Sequence, residues 1–369
     1  MIKGLAMKSV ALALVCSGVV GCQNEQKTVA KETPTKVKTV TRQAKTVKKA
    51  SKDVYITLSA AGDTTLGKDP KQSYSRTLPA YYDRYGSSYF LKKVAPVFAK
   101  DDVSVVNFEG TLTNVATPMK KAFTFKGPAK YMDILKKGHI DVASFANNHC
   151  KDYGQKSYSD TLKAFKDYQM TYASFEHVGV YQVKGVKLGF ISVDFNQAMP
   201  FGSMPYAKRL IRDGVKKCKA QKTNAIVVSM HGGIEGTHSL TSLQKDLGHY
   251  AINQGASLVL GHHPHVLQGV ERYKGAYIAY SLGNFCFGGN TNPKDKETMI
   301  LQKTFHFKDG KLIKDKQLKM IPCRLSSVTY KNDYQPTIVS GAEKTRIIHH
   351  MNSYSKSLGV GFKNDGNVR

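Results

Sequence analysis

The chain has no tryptophan, and none of its apolar runs is long enough to cross a bilayer as a helix, which takes about 20 residues. Acidic residues are scarce, with 27 Asp and Glu against 55 Lys and Arg, and the formal net charge is +28. Such a balance favours acidic partners. No recognisable nucleic-acid-binding module accompanies it, so an anionic wall polymer, an acidic polypeptide or a phosphorylated substrate is the expected class. A lysine-rich, merely solvating surface is the plainer alternative. The six cysteines show neither the paired spacing of a zinc site nor a disulfide framework. Cys150, Cys218, Cys286 and Cys323 therefore read as small buried apolar residues.

What is present begins with an address. Lys3 and Lys8 lead into the uncharged run Val10 to Val20, which has the length of a signal-peptide core. It closes on Val19-Val20-Gly21-Cys22, which resembles the bacterial lipobox. The expectation is that residues 1–21 are a lipoprotein signal peptide and that Cys22 is lipidated, against an ordinary signal peptide cut nearby. Gln23 to Lys52 has no aromatic residue and carries nine Lys and Arg against two Glu. Too little apolar surface is available there to offset ordering entropy, so residues 22–52 read as a basic flexible stalk. The stalk would add electrostatic attraction to anionic headgroups beside the acyl anchor. The protein is thus expected to be exported and lipid-anchored at the outer face of the bacterial cytoplasmic membrane.

From about Asp53 the pattern is that of an α/β domain. Val54 to Ala61, Val103 to Phe108, Val142 to Ala146, Ala225 to Met230 and Ser257 to Leu260 are near-continuous apolar or β-branched runs, as in strands covered on both faces. Helical patterns fall between them at Pro128–Lys137, Gln155–Tyr168, Tyr206–Ala220 and Leu240–Gln254. Hairpins are expected around Lys184-Gly185 and Lys274-Gly275. Residues 53–290 would form the main domain. Residues 291–369 would complete or flank it, with strands at Thr298–Phe307 and Lys311–Met320 and a helix over Ile338–Leu358.

Polar, ligand-capable residues follow the C-terminal ends of all five predicted strands. They are Asp63, then Asn107 and Glu109, then Asn148 and His149, then His231, then His263 and His265. In open α/β sheets that edge is where loops converge on a ligand crevice. Neutral imidazoles mixed with carboxylates suit Mn, Zn or Fe, whereas oxygen ligands alone would favour Mg or Ca. One histidine at a strand end means little, but the coincidence on five strands points to metal-dependent hydrolase chemistry. Glu235 and Gln268 are placed to bind substrate or orient ligands, although surface or structural duty fits them equally well. Asn284 either caps a turn or meets substrate. The Tyr-rich stretch Tyr74 to Tyr89 reads as a loop packed on the core or an aromatic lip over the cleft.

The runs Ala61-Gly62-Asp63-Thr64-Thr65-Leu66-Gly67, Asn107-Phe108-Glu109-Gly110 and Asn147-Asn148-His149 with Asp152 and Gly154 resemble the CapA family. So do His231-Gly232-Gly233-Ile234-Glu235, Gly261-His262-His263-Pro264-His265-Val266-Leu267-Gln268 and Tyr280-Ser281-Leu282-Gly283-Asn284-Phe285, in the same order. The likeness spans Val54 to Phe287. It implies a calcineurin-like metallophosphatase fold, a layered β-sandwich flanked by helices with a metal site at its edge, and a place in synthesis of poly-γ-glutamate capsule. By position, the resemblance makes Asp63 the first metal-binding Asp and Glu109 (or Asn107) the bridging group. It makes Asn148, His231, His263 and His265 further ligands of one or two divalent ions, and His149 the residue that contacts the reacting oxyanion. The sequence departs from the metallophosphatase pattern at Thr65, where a histidine ligand usually stands, so a full dinuclear centre is not implied. Glu in the bridging position is longer than the usual Asp, and Gly232-Gly233 replace an aromatic residue after His231.

Three functions fit this pattern. One is a cell-surface protein for assembly, export or attachment of an acidic polymer such as poly-γ-glutamate, working with other capsule-assembly proteins. Another is a metallophosphoesterase on a different extracellular substrate. The last is a non-catalytic polymer-binding scaffold with a vestigial site.

Overall fold

The computed structural model describes residues 52–196, 202–313 and 317–369. The expected signal peptide, Cys22 and the basic stalk up to residue 51 lie outside them.

Two sheets stack face to face. In the first, the strand order is Thr337–Ile338, Leu318–Arg324, Glu297–Lys308, Asp53–Thr65, Val103–Phe108, Val142–Ser144 and Thr171–Ala173. Asn284–Phe287 also pairs with Asp53–Thr65, and Lys311–Ile313 pairs with Glu297–Lys308. In the second, the order is Val270–Tyr273, Ala276–Ala279, Leu258–His262, Ala225–His231, Val186–Asp194 and Gly179–Val183. The strands Asp53–Thr65, Val103–Phe108 and Val142–Ser144 run parallel, as do Val186–Asp194, Ala225–His231, Leu258–His262 and Ala276–Ala279. The chain therefore has the helix-flanked two-sheet layering that the sequence implied, a metallophosphatase-like α/β fold.

Alternation along each strand divides the core into two clusters. Ile56, Leu58, Ala60, Val103, Val105, Leu188, Phe190, Ala225, Val227, Leu258 and Leu260 fill the space between the sheets. The opposite phase packs outward, for example Val106, Phe108, Ile226, Val228 and Val259. On the second sheet it meets Leu210, Ile211 and Val215 of the Met204–Ala220 helix and Leu247 and Ala251 of the Ser242–Gln254 helix. Burial on both faces is why these strands read as continuous apolar runs rather than alternating ones.

Local signals set the helix ends. Ser203 accepts a hydrogen bond from the Tyr206 amide, Thr241 and Gln244 form a capping box, and Gly255 ends its helix in the left-handed region. The expected C-terminal helix starts later than Ile338, at Gly341, because Ile338 pairs with Cys323 in the sheet. The strand that enters the hairpin at Lys274-Gly275 begins at Val270, and Val266 and Leu267 remain in the loop that carries the histidines. Tyr81, Tyr82 and Tyr89 pack against the core, while Tyr74 and Tyr85 are exposed. Cys150, Cys218, Cys286 and Cys323 are buried and free.

Candidate metal centre

The inter-sheet phase continues past the last apolar residue of each parallel strand, and there it changes chemistry. Val103 and Val105 are followed at the same spacing by Asn107, Ala225 and Val227 by Ser229 and His231, and Leu258 and Leu260 by His262. A strand side chain two residues on keeps its face, so these polar groups enter the rim of the inter-sheet space. Asp63 is on the wrong phase relative to Ile56, Leu58 and Ala60. A register shift between Ala61 and Asp63 re-aims it. Gly62 makes the shift possible: a Cβ there would sit 1.8 Å from the Gly283 carbonyl oxygen, to which the Asp63 amide donates at 2.9 Å. That close approach also draws Asn284 to the rim.

Glu109 lies at the centre, fully buried, and neither of its carboxylate oxygens has a hydrogen-bond partner. Its Oε1 is 3.7 Å from His231 Nε2, 3.8 Å from His265 Nε2 and 4.0 Å from His149 Nε2. Two ligand-capable groups of residues share it, Asp63 with Glu109 and His231, and Glu109 with His263 and His265. Asn107 occupies a different post. Its Nδ2 donates to Asp63 Oδ1 at 2.8 Å and to His231 Nδ1 at 3.2 Å, orienting both. His231 Nε2 in turn meets Asn148 Oδ1 at 2.8 Å, so an oxygen and a nitrogen converge beside Glu109.

His265 bridges the two carboxylates, with Nδ1 3.1 Å from Asp63 Oδ2 and 3.0 Å from Asn284 Oδ1. Asn284 therefore holds a candidate ligand. Burial alone would lower the His265 pKa, but the Glu109 charge and the bond to Asp63 outweigh it and raise it to about 10. Burial drives Glu109 well above its usual range, whereas the neighbouring His262 and His265 imidazoles hold Asp63 well down against its own burial. Burial, reinforced by neighbouring imidazoles, lowers His263 to about 3 and His231 well below its ordinary value. Neutral imidazoles are the form that binds metal.

His263 has its Nδ1 buried without a partner, while Nε2 accepts from Asn196 Nδ2 at 3.1 Å. Its backbone has φ 96°, and His265 has φ 59°. For a residue with a side chain, φ near 96° is strained, and such strain gathers at functional loops. His263→Gly should accordingly be more stable than His263→Ala by about 1 kcal/mol, the reverse of the usual order. Denaturant titration of both metal-free variants checks this, and equal stabilities would sink the strain.

His149 stands on the opposite wall. Its Nδ1 donates to Asp152 Oδ2 at 2.7 Å, and its ring lies 4.4 Å from that of Phe125 between centroids. Asp152 also accepts from Lys121 Nζ at 2.6 Å and from the Phe125 amide at 2.6 Å, and Lys121 donates to the Asn148 carbonyl at 2.6 Å. Burial outweighs Asp152 and lowers the His149 pKa.

Among the other residues expected at the site, Glu235 is exposed at the rim, 4.0 Å from His263 Nε2. Gln268 is buried away from the cluster and spends its amide on Gln244, Thr237 and Ser239. Thr65 Oγ1 is buried without a partner. Two further residues reach the site beyond those expected. His262 has both ring nitrogens buried and unpartnered, with Nδ1 3.5 Å from Asp63 Oδ1. Asp194, opposite His231 in the sheet register, has a buried unpartnered Oδ2 and a pKa that burial raises to about 7. Both lie on the inter-sheet phase, so alternation carried the signal. Lys121 comes from a loop with no such signal.

Buried polar atoms are almost always paired, and here Glu109 Oε1 and Oε2, His262 Nδ1 and Nε2, His263 Nδ1 and Asn107 Oδ1 are not. With two carboxylates and mostly neutral imidazoles, the donor set matches a divalent cation of the Mn, Zn or Fe type. The residues fit a metal.

Comparison with known proteins agrees in extent. The sequence model of the family described as bacterial capsule synthesis protein PGA_cap matches residues 57–289. A capsule biosynthesis protein CapA of Bacillus anthracis is 30% identical over 319 residues, covering 80% of this chain and 72% of the relative. A PGA biosynthesis protein CapA of Bacillus subtilis is 29% identical over 269 residues, 68% of each. A probable polyglutamine synthesis accessory protein of Mycobacterium tuberculosis is 23% identical over 260 residues, 61% of this chain and 66% of the relative. The matched span contains every group at the centre described above, and the chain belongs to the PGA_cap family of bacterial capsule synthesis proteins, that of the CapA relatives.

Proposed function

We propose that this chain is an exported, lipid-anchored accessory protein of poly-γ-glutamate assembly that acts on the acidic polymer at the outer membrane face through a divalent-metal, hydrolase-type site. The observation that carries the reading is Glu109, a buried carboxylate without a partner, ringed by three imidazole nitrogens within 4.0 Å. A carboxylate so placed is costly unless a cation completes it. Asp63, Glu109, His231, His263 and His265, with Asn148, would hold one or two ions, and His262 is in reach of Asp63. Bound there, the metal would supply Lewis acidity and an activated water at neutral pH. Asn107 and Asn284 keep Asp63, His231 and His265 in orientation. His149, with its Nδ1 proton held by Asp152, presents Nε2 to the reacting group and takes up or returns a proton there. The relatives' names, which speak of capsule biosynthesis, PGA biosynthesis and polyglutamine synthesis, support the reading. The basic composition suits such a polymer.

The test is complementation of a deletion strain with wild type, Asp63→Ala and His231→Ala. Cell-associated polymer is measured, and so is the metal content of each purified protein. Wild type should restore polymer and bind metal, and both variants should lose both. Variants that lack metal but restore full polymer would leave a scaffold and sink the hydrolase. A deletion with no effect on polymer, alongside lost hydrolysis of a phosphate ester, would point instead to a phosphoesterase.

A further inference from the structure

Beside the metal centre lies a pocket of about 570 Å³ whose lining includes Lys68, Lys126, Lys130, Tyr74, Tyr131 and Tyr153. We propose that it is a carboxylate subsite, in which an acidic chain engaged at the metal centre places an anionic group between Lys126 and Lys130. The proposal rests on the acidic-polymer reading above and adds where the rest of the chain is held.

The pocket shares its backbone with the machinery around His149. Lys126 directly follows Phe125, whose ring faces His149 and whose amide binds Asp152. Tyr153 directly follows Asp152. Adjacent Cα atoms are about 3.8 Å apart, so the backbone that supports His149 on one side carries the pocket's Lys126 and Tyr153 on the other. The floor is built by close backbone approach. A Cβ at Gly67 would lie 2.3 Å from the Lys126 carbonyl oxygen, and one at Gly127 would lie 2.3 Å from that of Leu66. A side chain at either position would push the two segments apart and remove the floor.

The charge is arranged for an anion. Lys126 Nζ lies 4.7 Å from the centre of the Tyr153 ring and donates to a single carbonyl, that of Val115, at 2.6 Å. Two of its three N–H groups remain for a ligand. Lys130 is exposed, with Nζ 5.2 Å from the centre of the Tyr82 ring. Lys68 contributes charge more than hydrogen bonds, because its ammonium already binds the carbonyls of Asp69, Pro70 and Gln72. The pocket's acidic residue, Asp83, is hydrogen-bonded by the Tyr74 hydroxyl. Tyrosine rings beside the ammoniums hold them in place and shield them partly from water, where a charge-assisted bond to a carboxylate is stronger.

The experiment is fluorescence anisotropy of a labelled γ-linked glutamate decamer with metal-loaded protein. The Lys126→Gln/Lys130→Gln double variant should bind about tenfold more weakly than wild type with unchanged metal content, and Lys130→Gln alone about threefold. Lys216→Gln/Lys219→Gln removes the same charge from an exposed helix surface and should stay within twofold. Equal losses in both double variants, or none in either, would overturn the subsite. So would displacement of the decamer by millimolar phosphate but not by free glutamate. Should Lys126→Gln disturb folding, the exposed Lys130→Gln decides by itself. A decamer that fails to bind wild type, while complementation still depends on Asp63, would sink the subsite and leave the proposed function standing.

Discussion

Glu109→Gln should strip the protein of its metal and raise the melting temperature of the metal-free form. Both effects follow from one fact, that Glu109 is a buried carboxylate with three nitrogens at 3.7 to 4.0 Å and no hydrogen-bond partner. Without metal it is a destabilising group, and burial answers by pushing its pKa well up. The neutral amide fits the same space without the charge, so at high pH, where His265 has lost the proton that offsets that charge, the metal-free variant should gain a few degrees. With metal the sign reverses, because the residue shared by both ligand groups is gone. Affinity should fall at least a hundredfold, beyond the 10- to 100-fold typical of outer-sphere partners. Wild type at about 1,000 times its dissociation constant would gain about 4 kcal/mol from metal, and the variant almost nothing. Thermal melts with and without Mn or Zn, beside metal analysis, read both halves. A variant that keeps its metal would remove Glu109 from the centre.

The pH dependence of metal binding has the same origin. His265 is raised to about 10 by Glu109 and Asp63 against its burial. In the metal-free protein its charged form therefore adds stability that is full below about 6.5 and is lost as pH rises through about 10. A cation takes over that charge and must displace the proton, so affinity should climb with pH across this window. Glu109→Gln removes the largest of the raising causes and should flatten the climb.

How much of this centre the sequence exposes depends on distance along the chain. Asp63, Glu109, Asn148, His149, His231, His263 and His265 each stand within a few residues of a strand end, and strand ends are visible as the close of an apolar run. His262 is equally legible, since Leu258, Leu260 and His262 share one phase and His263 next to it does not. Asp63 is visible from its strand end but not from its phase, because the register shift that turns it inward depends on Gly283, more than two hundred residues away. Gln268 belongs to the same family run as His265, yet three residues later the chain has turned and its amide ties down the Thr237–Ser239 loop. Lys121 could not be found from sequence: it arrives on an irregular loop and meets Asp152 through tertiary packing alone. The strand at Thr298–Phe307 is legible as one, whereas the expected strand Lys311–Met320 is two, Lys311–Ile313 and Leu318–Arg324, each pairing with its own stretch of Glu297–Lys308. The pairing of Glu297–Lys308 against Asp53–Thr65, which puts the end of the chain in the same sheet as its first ligand, is not legible.

Removing His149 should separate chemistry from metal binding. His149→Ala is expected to keep its metal, since Asp63, Glu109, His231 and His265 are untouched, and to lose polymer-directed function by 10²- to 10⁴-fold, the range of a positioned proton-transfer group. The resting state decides its role. Burial lowers the His149 pKa despite Asp152, so the ring is neutral, and the 2.7 Å bond to Asp152 keeps the proton on Nδ1. Nε2 then carries the lone pair that faces Glu109 and the site. His149 thus accepts a proton first, and the cation it becomes is stabilised by an Asp152 that Lys121 and the Phe125 amide hold in place. Asp152→Asn weakens that stabilisation without removing the imidazole, so its loss should be smaller, about tenfold, and should shift the pH profile of activity to lower rates near neutrality. The measurements are polymer chain length and amount in complemented cells, with metal content of each purified variant. Full function in a metal-loaded His149→Ala protein would mean that no proton passes through this residue, and would leave the metal centre to act by binding alone.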